Sequence, residues 1–414
     1  MSTSLAASHG SARRRELYRL VWRWHFYAGL FCIPFVLWLS LTGSIYLFRP
    51  QIDAWLERPY HHVDAAAPRR PPSAQVAAAL AAVPGGVLNA YQLPDGPHAA
   101  AQVLVGKGAG LYRVYVDPVS AQALHSVAED SRFTRMLFYL HGELMLGSYG
   151  SMAVELAASW AIVMILSGLY LWWPRGSRLA GVLYPRLGKR GRLFWRDLHA
   201  VAGFWVSLFA LFLLVSGLPW AKSWGGMLKD VREWAAGAPP SLDWTTGRAD
   251  ELARRKAANT SAFDEHANMP GMHHGGAMAM PMAGDYAPLD RLAPMVAAMR
   301  LAAPVLIAPP SAAAAGWTAR SDAANRPLRT NLVLDGAGGR VLKRIDFDQR
   351  PWLDRAIGYG VAAHEGQLFG ALNQALGVCT ALGLVTLSIS ALIMWWRRRP
   401  PGVLGAPPAH AARY

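Results

Sequence analysis

The sequence predicts an all-α membrane bundle of four transmembrane helices in two repeated halves, with two α+β segments outside the bilayer. Three observations carry this. The 414 residues are 53% hydrophobic and only 16% charged, the balance of an integral membrane protein. Four apolar runs, near 26–48, 151–173, 201–220 and 374–396, reach the roughly 20 residues that a bilayer demands. One plan also occurs twice. His25 and His199 each open a run that closes on a glycine 18 residues later, Gly43 and Gly217, with another glycine four after the histidine, Gly29 and Gly203. His141 and His364 each precede a run with a serine 26 residues on, Ser167 and Ser390, and a Trp-Trp pair beginning 31 residues on. Internal repeats of this kind decide the architecture before any local reading.

In chain order, residues 1–24 form a basic N-terminus and 25–49 the first span, the end of one long helix over 12–49 that Pro34 interrupts. The apolar run is longer than a signal-peptide core and no small-residue cleavage site follows it, so it reads as a true span. The first outer segment, 50–135, holds a helix from Ser73 to Val83 and strands at Val87–Leu93, Ala101–Val105 and Leu111–Val116, ending in the turn Asp117-Pro118-Val119-Ser120. The second span with its histidine cassette is 136–173, a basic loop follows at 174–196, and the third span is 197–220. The second outer segment, 221–356, repeats the first with a helix at Leu289–Met299 and a hairpin of Asn331–Leu334 and Val341–Phe347 around Asp335-Gly336. The fourth span and its cassette occupy 357–396, and 397–414 is a tail. The second half is the longer between its cassettes, 165 residues against 116, and the excess contains a Met/His tract over 266–282.

The net charge of +15 suggests a nucleic-acid partner until its placement is read. Residues 1–24, 174–198 and 397–414 carry sixteen basic against two acidic residues, which is +14 of the +15. Basic residues confined to short stretches on one side of the spans are the positive-inside signature, and Trp22, Trp24, Trp172, Trp173, Trp195, Trp395 and Trp396 supply the interfacial aromatic belt. The partner of this charge is the bilayer, not nucleic acid. Both termini and the middle loop are expected in the cytoplasm and both large segments outside it. The two cysteines, Cys32 and Cys379, lie inside spans, which excludes a disulfide framework, and no C-x-x-C-H is present. No catalytic triad, H-E-x-x-H, P-loop or strand-linked G-x-G-x-x-G occurs, so no resident nicotinamide or flavin domain is expected.

The paired histidine cassettes, the Ser-Gly…Trp-Trp-Pro-Arg ending and the two helix-plus-strand segments resemble the PepSY-associated transmembrane proteins, a family that includes inner-membrane ferric-siderophore reductases. The resemblance runs from about residue 15 to 399. It implies a four-helix core carrying b-type haem, PepSY-like periplasmic domains and a place in the bacterial inner membrane. The Met/His tract is not part of that pattern.

Ionisable side chains in membrane helices are costly and are functional candidates by default. A lone histidine at a helix end is more often an inert interfacial residue; four at repeat-matched positions are better read as ligands. His25 and His199 begin helices that leave the cytoplasm, so they share the inner face. His141 and His364 precede helices that return, so they share the outer face. Each pair suits the two axial positions of one haem, giving two haem b groups. Residues 4 and 18 apart share a helix face, so Gly29, Gly43, Gly203 and Gly217 leave the histidine stripes bare for a flat macrocycle, unless they serve close helix packing, which uses glycine in the same way. A straight helix from His141 to Trp173 would run about 48 Å. The outer haem would then stand at or above the membrane lip unless the helix bends near Gly142, Gly147 or Gly150. Trp38 and Trp160 at mid-depth read as ordinary core or lipid-facing residues before electron relays. His266, Met269, Met272, His273, His274, Met278, Met280 and Met282 offer imidazole and thioether ligands that suit copper, or else a Gly/Ala/Met loop with no tight site.

The expected activity is transfer of electrons from a separate donor, membrane quinol or a cytoplasmic flavoprotein, to a periplasmic ferric siderophore. Two other readings use the same features: a periplasmic copper reductase or copper-handling protein, and a non-enzymatic PepSY sensor or inhibitor with structural histidines. The topology is checked by reporter fusions. Fusions at Ala128 and Ala257 should report the periplasm and one at Gly188 the cytoplasm, and the reverse pattern would overturn the pairing of the histidines as well.

Overall fold

A computed structural model describes residues 2–174, 179–236, 251–253, 255, 256, 259, 285–311 and 316–407. The Met/His tract lies outside them. The chain forms two compact units, one of residues 1–47, 140–244 and 370–414, the other of 48–139 and 245–369.

The first unit is built on four long apolar helices: α1 (Ser2–Tyr46), α5 (Gly147–Trp172), α6 (Arg192–Gly217) and α10 (Ala371–Arg398). Each is long and apolar enough to cross a membrane. They close a ring in which α1 packs on α5 and α10, and α6 packs on the same two, so α1 and α6 stand diagonally. Pro34 lies inside α1 without ending it. Two belt tryptophans show why they sit at the helix ends. The indole N–H of Trp172 donates to the Val182 carbonyl at 3.0 Å and that of Trp395 to Leu404 at 2.9 Å, while the apolar rings stay on the bundle. The basic middle loop is pinned to α6 by Asp197, which is fully buried and accepts from Arg186 at 2.6 and 2.9 Å and from Arg196 at 2.7 Å.

The His141 cassette breaks where a bend near Gly142, Gly147 or Gly150 was expected as the alternative to a straight helix, and one further feature of this unit was not foreseen. The segment expected as one helix over 136–173 is two: α4 (Phe133–Glu143) stops, and α5 starts at Gly147 after Leu144, Met145 and Gly147 adopt φ of 51°, 58° and 58°. The carbonyl of Glu143 fills the place a Cβ at Gly150 would need, so the last residue of α4 abuts the start of α5. The second cassette breaks likewise, between α9 (Trp352–His364) and α10, with Gly366 and Gly370 at φ of 74° and 59°. The over-long helix of the sequence reading therefore does not exist, and α5 alone runs about 39 Å. The other feature is Glu155, a buried carboxylate within α5. It accepts from the backbone N–H groups of Ser223 at 3.0 Å and Trp224 at 2.8 Å, the first turn of α7 (Lys222–Ala236), where helix N–H groups have no partner of their own.

In the second unit the two expected α+β segments share one sheet. α3 (Pro72–Ala82) is followed by β1 (Val87–Gln92), β2 (Ala101–Lys107), β3 (Gly110–Asp117) and β4 (Gln122–Ala128). α8 (Leu289–Ala298) is followed by β5 (Val305–Ala308), β6 (Trp317–Ser321), β7 (Thr330–Leu334) and β8 (Val341–Asp346). All eight strands form one antiparallel sheet in the order β4-β3-β2-β1-β5-β6-β7-β8. The halves meet where Tyr91 pairs with Ile307 and Gln92 with Leu306. One core runs across this seam, with Val76, Val103 and Val114 from one half and Leu292, Ile307 and Leu332 from the other. The two helices are also tied: the Ser73 N–H and hydroxyl donate to the Asp290 carboxylate at 2.8 and 2.7 Å. β1 and β5 would each be an unpaired edge in a separate domain, and pairing them removes both edges.

On the first half of the sheet, Glu129 accepts from Arg113 at 2.9 Å and Arg132 at 3.0 Å, and Arg132 also reaches Glu57 at 2.7 Å. Burial by itself would raise the Glu129 carboxyl; the two guanidinium groups overcome it and hold it at about 2 against an ordinary 4.5. A depressed carboxylate stabilises the fold above its unfolded value and loses that contribution as pH falls towards its folded value. Glu129→Gln should therefore lower the melting temperature at neutral pH and make the acid limb between pH 4.5 and about 2 shallower than in wild type. Thermal unfolding across that range checks it; parallel curves would show that the ion pairs contribute nothing.

Candidate functional site

α1 and α6 each bring one histidine into the centre of the four-helix ring. His25 and His199 face each other with ring centroids 6.3 Å apart and planes at 80°. They border a cavity of about 600 Å³ whose wall includes Gly29, Gly203, Phe26, Phe204 and Leu384. The two residues that the repeat assigned to one inner site are thus together, and two of the four predicted glycines line the space beside them.

Each ring is seated on the opposite helix of its half. His25 Nδ1 lies 2.9 Å from the Met164 carbonyl and 3.2 Å from Ser167 Oγ on α5. His199 Nδ1 lies 3.1 Å from the Leu387 carbonyl and 3.1 Å from Ser390 Oγ on α10. A carbonyl oxygen only accepts, so Nδ1 must carry the proton in both rings. The lone pair is then on Nε2 in each, the neutral form that binds a metal, and the Nδ1–H bond to a carbonyl orients the ring and raises its basicity. Ser167 and Ser390 complete the seat by donating to the same carbonyls at 3.0 Å. Their repeat-matched spacing from His141 and His364 was visible in the sequence, but their partners are the other two histidines.

His141 shows the same construction at the far end of α1. Its Nδ1 is hydrogen-bonded to Thr42 Oγ1 at 2.9 Å, and the Thr42 hydroxyl also reaches the Trp38 carbonyl at 2.9 Å. The Trp38 indole donates to the Leu140 carbonyl at 3.2 Å, holding the turn of α4 that bears His141. Trp38 thus helps to position His141. His25 and Thr42 lie on one helix, about 26 Å apart along it. His364 ends α9 in the other compact unit, and its pairing with His141 remains an expectation of the repeat.

The glycines divide into two roles. A Cβ at Gly43 would stand 3.0 Å from His141 Cε1, so this glycine, expected to clear space for a macrocycle, makes room for an imidazole. Gly168, whose role the sequence reading missed, does the same for His25 at 2.9 Å. Gly29 and Gly203 keep the cavity role, and Gly217 ends α6. Among the described residues no three His, Cys, Asp or Glu side chains converge as a metal cluster, and the copper candidates lie outside them.

The family model described as PepSY-associated TM region matches residues 22–398, and the chain belongs to that family. A search of curated proteins finds no match. The protein is therefore an integral membrane protein of the PepSY-associated transmembrane class.

Gly168→Ala tests the seat of His25. Alanine gains about 1 kcal/mol of helix propensity over glycine, but overpacking costs about 1–3 kcal/mol. The substitution should therefore lower the unfolding midpoint in detergent. Gly226→Ala, where a Cβ meets nothing within 4 Å, should hold or raise it. Equal midpoints for the two variants would show that the ring does not rest on Gly168.

Proposed function

We propose that this protein is a two-haem b membrane reductase that carries electrons from the cytoplasmic side to a periplasmic acceptor, ferric iron in a siderophore. The observation that supports it best is the facing of two imidazoles in their metal-binding tautomer across a cavity. Metal–imidazole bonds are about 2.0–2.1 Å, and two of them, each continued to its ring centre, span a separation close to the 6.3 Å between the rings. His25 and His199 are the residues that would hold the haem iron, one from each of two diagonal helices. The cavity is lined largely by apolar side chains and glycine, as a hydrophobic macrocycle requires.

A haem held there supplies one-electron chemistry. The chain's own residues set its conditions. His25 and His199 hold the iron of the inner haem, and the Met164 and Leu387 carbonyls keep each Nε2 directed inward and electron-rich. His141 and His364 hold the outer one, with Thr42 orienting His141. The apolar side chains lining the cavity would lower the local dielectric around the metal. The basic loops support a cytoplasmic side for the inner pair, the side from which a quinol or a flavoprotein would deliver electrons. The Met/His tract favours copper as the acceptor in the second reading of the same wire.

Axial ligation makes the two sites separable. His199→Ala and His364→Ala should each remove about half of the haem. The haem left in His364→Ala should still be reduced by the cellular donor, while reduction of an external ferric complex is lost. The haem left in His199→Ala should resist that donor and respond to a small reductant added outside. Haem per protein and reduction from each side measure this. Identical behaviour of the two variants would refute the two-sided wire, and a colourless wild-type protein would favour the sensor reading.

A further inference from the structure

The cavity between His25 and His199 has a cationic mouth that neither the repeat nor the family match explains. Antiparallel packing of α6 against α10 defines its level. His199 meets Ser390, and a Cβ at Gly203 would meet Leu387, so positions on one helix rise as those on the other fall. Extending that register to the ends of the helices sets Arg192 level with Arg398. Both border the cavity together with Arg196. Arg196 is committed to Asp197 at 2.7 Å. Arg192 and Arg398 have no carboxylate within ion-pair distance among the described residues, whereas Arg186 and Arg196 share Asp197.

Arg398 is also held in place. Its guanidinium lies 5.2 Å from the Trp22 ring and 5.5 Å from the Phe26 ring, and it donates to the Gly405 carbonyl at 3.0 Å. Trp22 and Phe26 flank His25 on α1 and border the same cavity. Arg192 lies seven residues before His199, two turns or about 10 Å towards the basic end. Two like charges converging on one cavity mouth repel unless an anion lies between them, and a guanidinium is shaped to take a carboxylate through two parallel hydrogen bonds.

We infer that Arg192 and Arg398 form a carboxylate-binding subsite that takes the two propionate groups of the inner haem and turns that edge of the macrocycle towards the cytoplasm. This rests on the haem reading of the His25/His199 site. The subsite orients the group in the plane that the two histidines leave undetermined, because axial bonds fix the iron but permit rotation about their common axis. It also concentrates the inner site's negative charge where the basic loops meet it.

The test compares haem with its dimethyl ester, which keeps the macrocycle and loses both carboxylates. Full-length protein produced without haem, with His141→Ala and His364→Ala to silence the outer pair, is titrated with each in nanodiscs. The parent should bind haem at least tenfold more tightly than the ester. Arg192→Gln/Arg398→Gln should bind haem about as weakly as the parent binds the ester and should not discriminate between them. Arg192→Lys/Arg398→Lys, which keeps the charge, should recover part of the preference. Equal affinity of the parent for haem and ester would overturn the subsite while leaving the haem site standing. Failure of the parent to bind either would overturn both. If the preference appears only in nanodiscs lacking anionic lipid, the arginines serve lipid phosphates first and the proposal falls.

Discussion

The Nδ1–H bond from each core histidine to a backbone carbonyl is the constraint on which the membrane unit depends. Four crossing helices leave a space at their centre, and a histidine there could rotate, choose either tautomer or turn to the interface. The Met164 and Leu387 carbonyls remove those choices. They lie three residues before Ser167 and Ser390, whose hydroxyls donate to them. Small residues follow the serines, Gly168 and Ala391, and Gly168 lets the His25 ring approach the helix backbone. A seat of hydroxyl, carbonyl and small residue recurs in the two halves, and Thr42-Gly43 uses the same logic for His141. The two diagonal helices present the rings, and their neighbours in each half hold them.

Two kinds of glycine emerge from this, and they respond to different pressures. Gly43 and Gly168 admit an imidazole from a neighbouring helix, so their space is already filled. Gly29 and Gly203 border the central cavity. Spacing along one helix cannot separate these roles, because residues on the same stripe share a face but meet different partners at different depths. Gly366 and Gly370, at positive φ, serve a third purpose in breaking the last helix after its histidine. The corresponding break in the first half places Leu144 and Met145 in the left-handed region without glycine, a conformation costly for side chains of that size.

The second unit shows the same internal symmetry in β form. Each half contributes one helix and four strands, and neither closes its own sheet. The strands that the sequence signalled clearly, such as Val87–Gln92 and Gly110–Asp117, are long and rich in β-branched or aromatic residues. Those it did not signal are the short β5 and β6 and the exposed edge β4. β5 and β4 lack the alternation of a half-buried strand, because β5 is buried along most of its length and β4 is exposed along most of its length, whereas β6 alternates over only five residues.

The sequence by itself determined the four spans, the doubled plan, the helix-plus-strand segments and the meeting of His25 with His199. Hydropathy and repeat spacing are local or periodic quantities, and a bilayer converts them directly into helices. Tertiary structure alone decided how the halves combine. It joined two half-sheets at β1 and β5, matched Ser167 and Ser390 to the histidines of neighbouring helices, and set Glu155 at the start of α7 and Asp197 between two arginines. Those outcomes depend on which unsatisfied donor, edge or charge lies within about 3 Å after packing, and no spacing along one chain records that.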